Sequence, residues 1–336
     1  WSSDVCSSDL SDRVFVVDDL SIGTHPTEWL PGFSSKKRED LELIGDDERL
    51  LFWKGDFRDF LFYFRENPRF LQEKYQLEFN SFSDVYHFAA IVGGRSKIEG
   101  DPMMVALDLS IDAEFFYWVT RHKPERVLYP SSSAAYPVNL QTDEAAISLK
   151  ESDIDFEGNL GTPDMTYGWS KLTGEFLAQI AARNYGVSIV CIRPFSGYGE
   201  DQDLSYPVPA IAARAARRED PFEVWGTGKQ GRDFVHIEDV LDFIQILMDN
   251  VSDGSAYNIG SGRLLSFIEI IEVFCKIVGY QPEIKQLLDK PVGVHSRYAN
   301  MDLVTEKFGW KPKITVEEGM RRVYKAAVER VKNQQK

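Results

Sequence analysis

Tyr167 and Lys171 stand four residues apart in a stretch of helical character, and a serine run at residues 131–133 follows a short apolar strand earlier in the chain. Residues at i and i+4 share a helix face, so the Lys171 ammonium lies near the Tyr167 phenol and favours its ionised form. A phenolate takes the proton of an alcohol while a hydride leaves the same carbon. The hydroxyl of Ser132, arriving on a neighbouring loop, completes the hydrogen bonding around that oxygen. Taken alone, the spacing also fits a solvated helix face, so the elements that carry these residues matter.

Those elements read as strands ending at regular intervals. Apolar, β-branched runs at residues 14–17 and 50–53 stop at Asp18 and Asp19 and just before Gly55, Asp56 and Phe57. Residues 84–88 run into Ala89 and Ala90, residues 126–129 into the serines, and residues 187–192 into Arg193 and Pro194, with helical stretches between. Short buried runs alternating with helices predict an α/β fold with a doubly wound parallel sheet, whose carboxyl strand ends line a ligand crevice. An acid closing the second strand of such a sheet accepts hydrogen bonds from the ribose hydroxyls of NAD, and Asp18 fits. No arginine follows it directly to take a 2′-phosphate, which favours NAD over NADP. Asp18 and Asp19 also suit an ordinary turn.

Over nearly the whole length after position 10 the chain resembles the extended short-chain dehydrogenase/reductases, in the branch of NAD-dependent nucleotide-sugar epimerases and dehydratases and in the manner of the UDP-glucose 4-epimerases. The segments that carry the resemblance are residues 17–21, 55–59, 87–90, the serine loop, residues 167–171, 193–199, 228–236, 257–262 and 308–312. The resemblance implies a Rossmann-type NAD site. Asp18 and Asp19 would meet the adenosine ribose and Asp56 and Phe57 the adenine. Phe88, Ala89 and Ala90 would pass beneath the pyrophosphate and nicotinamide ribose, and Pro194 would lie against the cofactor. Tyr167 and Lys171 would both catalyse and bind. For the nucleoside-diphosphate sugar it implies Ser132, Ser196, Arg232 and Asn258, with Lys290 and Arg297 as further candidates. A guanidinium fork at Arg232 suits a diphosphate. For Arg232, Lys290 and Arg297 a surface ion pair is the alternative.

The family begins with a strand and a glycine-rich turn that cradles the dinucleotide phosphates. Here the chain opens instead on a Ser- and Asp-rich segment at residues 1–10, read as a foreign scar on a truncated sequence, with a divergent start as the alternative. The expected plan is an incomplete Rossmann domain over residues 11–193 and 230–260, lacking its first strand and glycine-rich loop. A smaller α+β substrate-binding cap takes residues 194–229 and 261–330. Residues 60–80, which alternate aromatics and charges at helical spacing, are expected to form an added surface or partner helix.

Composition narrows the class. The 336 residues carry a net charge of −15, which argues against nucleic acid. No apolar run reaches the length of a membrane span, and a cytoplasmic enzyme is the expectation. Cys191 and Cys275 lie in apolar contexts and read as reduced core residues. The loop at residues 139–161 reads as solvated, and no metal is expected. Helices at residues 102–122 and 166–185 carry more apolar surface than one sheet uses, Phe115, Trp118, Leu172, Phe176 and Ile180 among it, so a symmetric homodimer is expected.

Within the resembled family, a 4,6-dehydratase would place Asp-Glu just after the hydroxyl residue, a decarboxylase would keep the Glu, and a 3,5-epimerase would need a Cys in this loop. Ser133 and Ala134 stand there instead. Ser132, Tyr167 and Lys171 suffice to oxidise one carbinol and return the hydride to its other face, which is 4-epimerization. Residues 222–225 and 293–294 resemble the GDP-mannose 3,5-epimerases, and Ser196 replaces the asparagine most relatives have. A nucleotide-sugar dehydratase or another NAD-dependent sugar-nucleotide-modifying enzyme is the alternative within the family, and a catalytically inactive NAD- and sugar-nucleotide-binding scaffold is the alternative from outside enzymology.

Overall fold

The computed structural model describes residues 13–334 apart from 31, 46–48, 80, 94, 144, 145, 159 and 291, so the segment read as a scar lies outside the described residues. The chain divides into two compact units, Trp1–Ser83 with Ala106–Pro124, and Asp84–Val105 with Glu125–Lys336.

The first unit holds β1 (Val14–Asp18), α1 (Pro26–Trp29), β2 (Ser35–Arg38), β3 (Leu41–Ile44), β4 (Leu50–Lys54), α2 (Phe57–Glu66) and α3 (Phe70–Tyr75). Its sheet runs β1-β4-β3-β2, with β1 and β4 parallel from Val14↔Leu50 to Asp18↔Lys54. The connection between these two strands contains the antiparallel hairpin β2–β3, whose Leu41, Leu43 and Ile44 are buried while β2 lies at the edge. Charged Lys36 and Lys37 on that edge strand hide the hairpin from an apolar pattern, and they also protect the edge from further pairing.

Residues 60–80 are not the surface appendage their spacing suggests. Phe60, Leu61, Phe64, Phe70, Leu71 and Tyr75 are all buried, so α2 and α3 build the core of this unit. Phe115 and Trp118, expected on a dimer face, are enclosed at 0% and 5% exposure. Rings from α2 and the loop after α3 meet Trp118 from Phe64 and Phe82, and Phe57 meets Phe115.

The second unit continues with β5 (Asp84–Tyr86), α4 (Arg95–Gly100), β6 (Arg126–Pro130), α6 (Met165–Tyr185), β7 (Ile189–Pro194), β8 (Ser196–Tyr198), α7 (Pro207–Ala216) and β9 (Phe222–Trp225); α5 (Met104–His122) begins in this unit and continues in the first. Then come β10 (Gly231–His236), α8 (Ile237–Asn250), β11 (Asp253–Ile259), β12 (Leu264–Ser266), α9 (Phe267–Val278), β13 (Ile284–Leu287), β14 (Ser296–Arg297), α10 (Asp302–Phe308) and α11 (Val316–Gln334). An all-parallel sheet runs β11-β7-β6-β5. Val240, Phe243, Ile244 and Leu247 of α8 pack on Leu128, Val190 and Ile192 from its strands. A second sheet sets β10 between β12, β14 and β8, and β9 pairs with β13. Helices α7, α9 and α11 share one apolar core with Phe222, Val224 and Phe234.

Candidate active site

The serine loop begins where β6 ends. Ser131 N–H donates to the Ile192 carbonyl at 2.8 Å, which continues the strand pairing one residue further. Ser132, in extended conformation, caps a tight turn at Ser133–Ala135, its Oγ accepting from Ala134 N–H at 3.1 Å. That bond occupies an acceptor position on the hydroxyl, so its own proton is available to donate outward.

Helix α6 is cut to fit against this loop. Asp164, at its N-cap, donates its N–H to the Ala134 carbonyl at 2.9 Å, and Gly186 ends it in the left-handed region at φ 67°. A Cβ at Gly168 would lie 2.3 Å from the Ala134 carbonyl oxygen, so only glycine lets the turn bearing Tyr167 sit on the serine loop. A Cβ at Gly174 would meet the Tyr129 hydroxyl at 1.8 Å. The buried face of α6 therefore consists of small residues and Leu172 together with the charges Lys171 and Glu175; Leu172, expected on a dimer face, instead packs in the core with Tyr136 and Phe195. The Lys171 ammonium lies 5.6 Å from the ring centroids of both Tyr129 and Tyr167. Tyr206, at the N-cap of α7, has its phenol raised above its ordinary value, by burial first and by the charge of Tyr167 second.

Behind the loop lies a buried polar chain. Arg193, from the end of β7, donates to both carboxylate oxygens of Glu175, at 2.9 and 2.6 Å, and to the Tyr136 hydroxyl at 3.0 Å. Glu175 also accepts from the Ser131 hydroxyl. Tyr136 donates to Asn258 Oδ1 at 2.7 Å, and burial drives its phenol well above the ordinary value. Asn258, expected to meet substrate, is 0% exposed, and its Nδ2 donates to the carbonyls of Leu149 and Asn300. Its side chain thus belongs to the framework. Glu151, whose carboxyl is raised by burial, accepts from Asn258 N–H.

The remaining expected residues fall in separate places. Arg232 and Arg297 are partners in the parallel register of β10 and β14. Arg297 forks between Gln141 and Asp164, at 2.6 Å to each, so one of the two arginines is tied to the N-cap of α6. Arg232 donates to the carbonyls of Gly231 and Val294. Ser196 begins β8 opposite Phe234, and Lys290 is exposed in the turn after β13. Phe88 stacks on Tyr86 with the rings 6° from parallel, followed by half-buried Ala89 and Ala90 at the end of β5. Pro194 closes β7.

In the first unit Asp18 and Asp19 close β1 with exposed carboxylates, each turned back onto one backbone N–H, of Leu20 at 2.7 Å and of Ser21 at 2.8 Å. A carboxylate so placed keeps acceptor positions for ribose hydroxyls, which fits NAD. Asp56 caps α2 and is bound by Arg58, which holds its carboxyl below the usual range. Phe57 follows it as the first residue of the helix.

Gly174, Glu175 and Tyr206 carry no signal in the sequence, and Gly168 and Arg193 fall in segments that carry the resemblance without a role of their own. Steric need at the glycines and long-range pairing at the others leave no local pattern. Among the described residues no cluster of His, Cys, Asp or Glu is arranged to hold a metal. No described helix is long and apolar enough to cross a membrane. Cys191 and Cys275 are free and buried, as expected.

Comparison with known proteins agrees with this arrangement. Residues 73–260 match the model of the NAD dependent epimerase/dehydratase family. The chain is 29% identical over 252 residues to a GDP-L-fucose synthase of Sinorhizobium fredii, covering 72% of this chain and 78% of that one. It is 27% identical over 263 residues to GDP-mannose 3,5-epimerase 1 of Oryza sativa subsp. indica, covering 76% of this chain and 68% of the other. The fold is similar to the crystal structure of a UDP-glucose 4-epimerase of Thermotoga maritima with UDP-glucose, with a TM-score of 0.71 at 21% identity, covering 96% and 92% of the two chains. A parallel sheet ending in a capped serine loop, a helix carrying Tyr167 and Lys171 on that loop, and a family match spanning both lead to one assignment: this chain belongs to the NAD dependent epimerase/dehydratase family.

Proposed function

We propose that the chain epimerises a nucleoside-diphosphate sugar at C4 by transient oxidation to the 4-ketone. The observation that carries this reading is the composition of the capped serine loop, where Ser132 keeps a hydroxyl proton to donate while Ser133 and Ala134 supply no acid or base for removing water. NAD supplies the hydride acceptor and donor when bound. Tyr167 takes the proton of the C4 hydroxyl and returns it once the sugar presents its other face, and Lys171 favours the phenolate that does so. Ser132 donates to the same oxygen throughout.

In this reading Asp18, Asp19, Asp56 and Phe57 serve the adenosine half of NAD, and Phe88, Ala89, Ala90, Pro194 and Lys171 the nicotinamide half. Arg232 and Arg297 take the diphosphate, with Ser196 and Lys290 beside the nucleotide. Residues 194–229 and 261–330 act as the substrate cap. A second copy of the chain is proposed to cover Trp169 and Phe176, which lie two turns apart on α6 at 47% and 45% exposure.

The test is direct. The chain with NAD is given UDP-glucose, GDP-mannose and dTDP-glucose in turn, and the products are read by NMR. Inversion at C4 is expected for one of them, with Tyr167→Phe lowering turnover by about 10²–10⁴-fold while binding survives. A 4-keto-6-deoxy sugar would make the chain a dehydratase, and tight binding of all ligands without any chemistry would make it a scaffold.

A further inference from the structure

Glu175 sits one helical turn beyond Lys171 on the same buried face of α6, and the proton handling described above gives it no task. Its carboxylate is 1% exposed and receives three hydrogen bonds, two from Arg193 and one from Ser131, the residue immediately before Ser132. Arg193 is 4% exposed and spends its remaining nitrogen on the Tyr136 hydroxyl and the Glu151 carbonyl. Such a pair is a poor device for stability alone, because its desolvation offsets much of its attraction and apolar side chains would fill the same space. Its connections are what distinguish it. Glu175 lies on the helix of Tyr167 and Lys171, Arg193 closes β7, and the third hydrogen bond to the carboxylate comes from Ser131 on the loop of Ser132.

The backbone of that loop is anchored on one side to β7 through Ser131 N–H and on the other to α6 through the Ala134 carbonyl. Between these anchors the Ser131 hydroxyl is a side-chain tie from the loop to the buried charges. The direction of the Ser132 hydroxyl follows from the position of the loop, since its oxygen is fixed by Ala134 N–H. Displacing a reacting group by about 1 Å costs on the order of 10²-fold in rate.

We propose that Ser131, Glu175 and Arg193 form a positioning element, in which the Ser131 hydroxyl on the Glu175 carboxylate holds the Ser132 loop in register with Tyr167 and Lys171. The consequence for turnover rests on the roles proposed above for Ser132 and Tyr167; the mechanical claim does not. Two measurements on the full chain separate them. The first is amide hydrogen exchange at Ala134, Ala135 and Tyr136, whose N–H groups all bond within the Ser132 turn. Ser131→Ala should speed these amides by about tenfold or more with unfolding temperature unchanged, and Glu175→Gln, which keeps an acceptor of the same shape, should do so less. Unchanged exchange in Ser131→Ala overturns the proposal.

The second measurement is a double-mutant cycle with whichever of UDP-glucose, GDP-mannose and dTDP-glucose is turned over. Ser131→Ala should lower kcat about tenfold with KM within about twofold, yet change kcat by less than about twofold when Ser132→Ala is already present. The same tenfold loss in both backgrounds would assign Ser131 a general structural role and contradict the proposal. A wild-type chain inert toward all three sugars would instead refute the C4 reading, and the exchange measurement would still decide the positioning claim.

Discussion

In the first unit Phe60, Phe64, Phe70 and Trp118 meet ring to ring, with centroids from 4.6 Å for Phe64 and Phe70 to 6.1 Å for Phe64 and Trp118, and an ion pair such as Arg65 with Glu114 lies partly in solvent. In the second unit the most deeply buried ion pair among the described residues, Glu175 with Arg193, lies behind the serine loop and is joined to Tyr136 and, through it, to Asn258. Ring packing tolerates exchange of one apolar shape for another, whereas a buried network fixes particular atoms. The contrast explains why the second unit, which carries Ser132, Tyr167 and Lys171, accepts the cost of burying charge.

The largest effects should come from cutting each core. Arg193→Ala leaves Glu175 charged and unpaired and should destabilise by about 3–5 kcal/mol. Phe64→Ala should cost about 3–5 kcal/mol through lost packing. The repairs should differ. Phe64→Leu should recover most of the loss, while the double replacement of Arg193→Met and Glu175→Leu should recover stability in denaturant titration yet leave turnover down by about tenfold or more. Full activity in that double variant would erase the distinction between the units.

Gly168→Ala tests the approach of helix to loop. The added Cβ would strike the Ala134 carbonyl, so a loss of about 1–3 kcal/mol is expected, with a larger proportional loss of kcat than of substrate affinity. Smaller again is the exposed pair of the first unit. Arg65→Ala should change stability by about 1 kcal/mol or less, and high salt should weaken the effect.

The shallowest expected effect is a pH dependence in the first unit. His122 stacks on Trp118 and meets Phe64 edge-on, and burial holds its imidazole below the usual histidine range. The folded state therefore favours the neutral ring. Its contribution is present above the unfolded value and is lost as pH falls through the folded value. Tryptophan fluorescence during denaturation should report lower stability in mildly acid solution than at neutrality, and His122→Phe should flatten that slope. An unchanged slope would place the acid sensitivity elsewhere.

The elements that carry the site were legible because they obey local rules. Helices expected at residues 102–122 and 166–185 are found at Met104–His122 and Met165–Tyr185, the second ended by Gly186 in a left-handed cap. The parallel strands stop at Asp18, Pro130 and Pro194, one or two residues beyond the apolar runs. What was hidden is long-range or steric. Tyr136 and Asn258 are 122 residues apart, so no window of sequence joins them. Nothing in the neighbours of Gly168 announces that a carbonyl from the serine loop lies where its side chain would be. The hairpin β2–β3 leaves no apolar pattern because its outer strand is charged, and Phe115 and Trp118 lie inside rather than on a dimer face because Phe57 and Phe64 of α2 pack on them.

The proposed C4 epimerisation requires oxidation and return at a single carbon, and an isotope at that carbon follows both steps. The chain with NAD is given the nucleotide sugar it turns over, deuterated at C4, in ordinary water, and the product is read by NMR. An inverted C4 that still carries deuterium is expected, with no solvent hydrogen gained at C5. Deuterium found at C6 with solvent hydrogen at C5 would contradict it, because that outcome requires loss of water across C5 and C6.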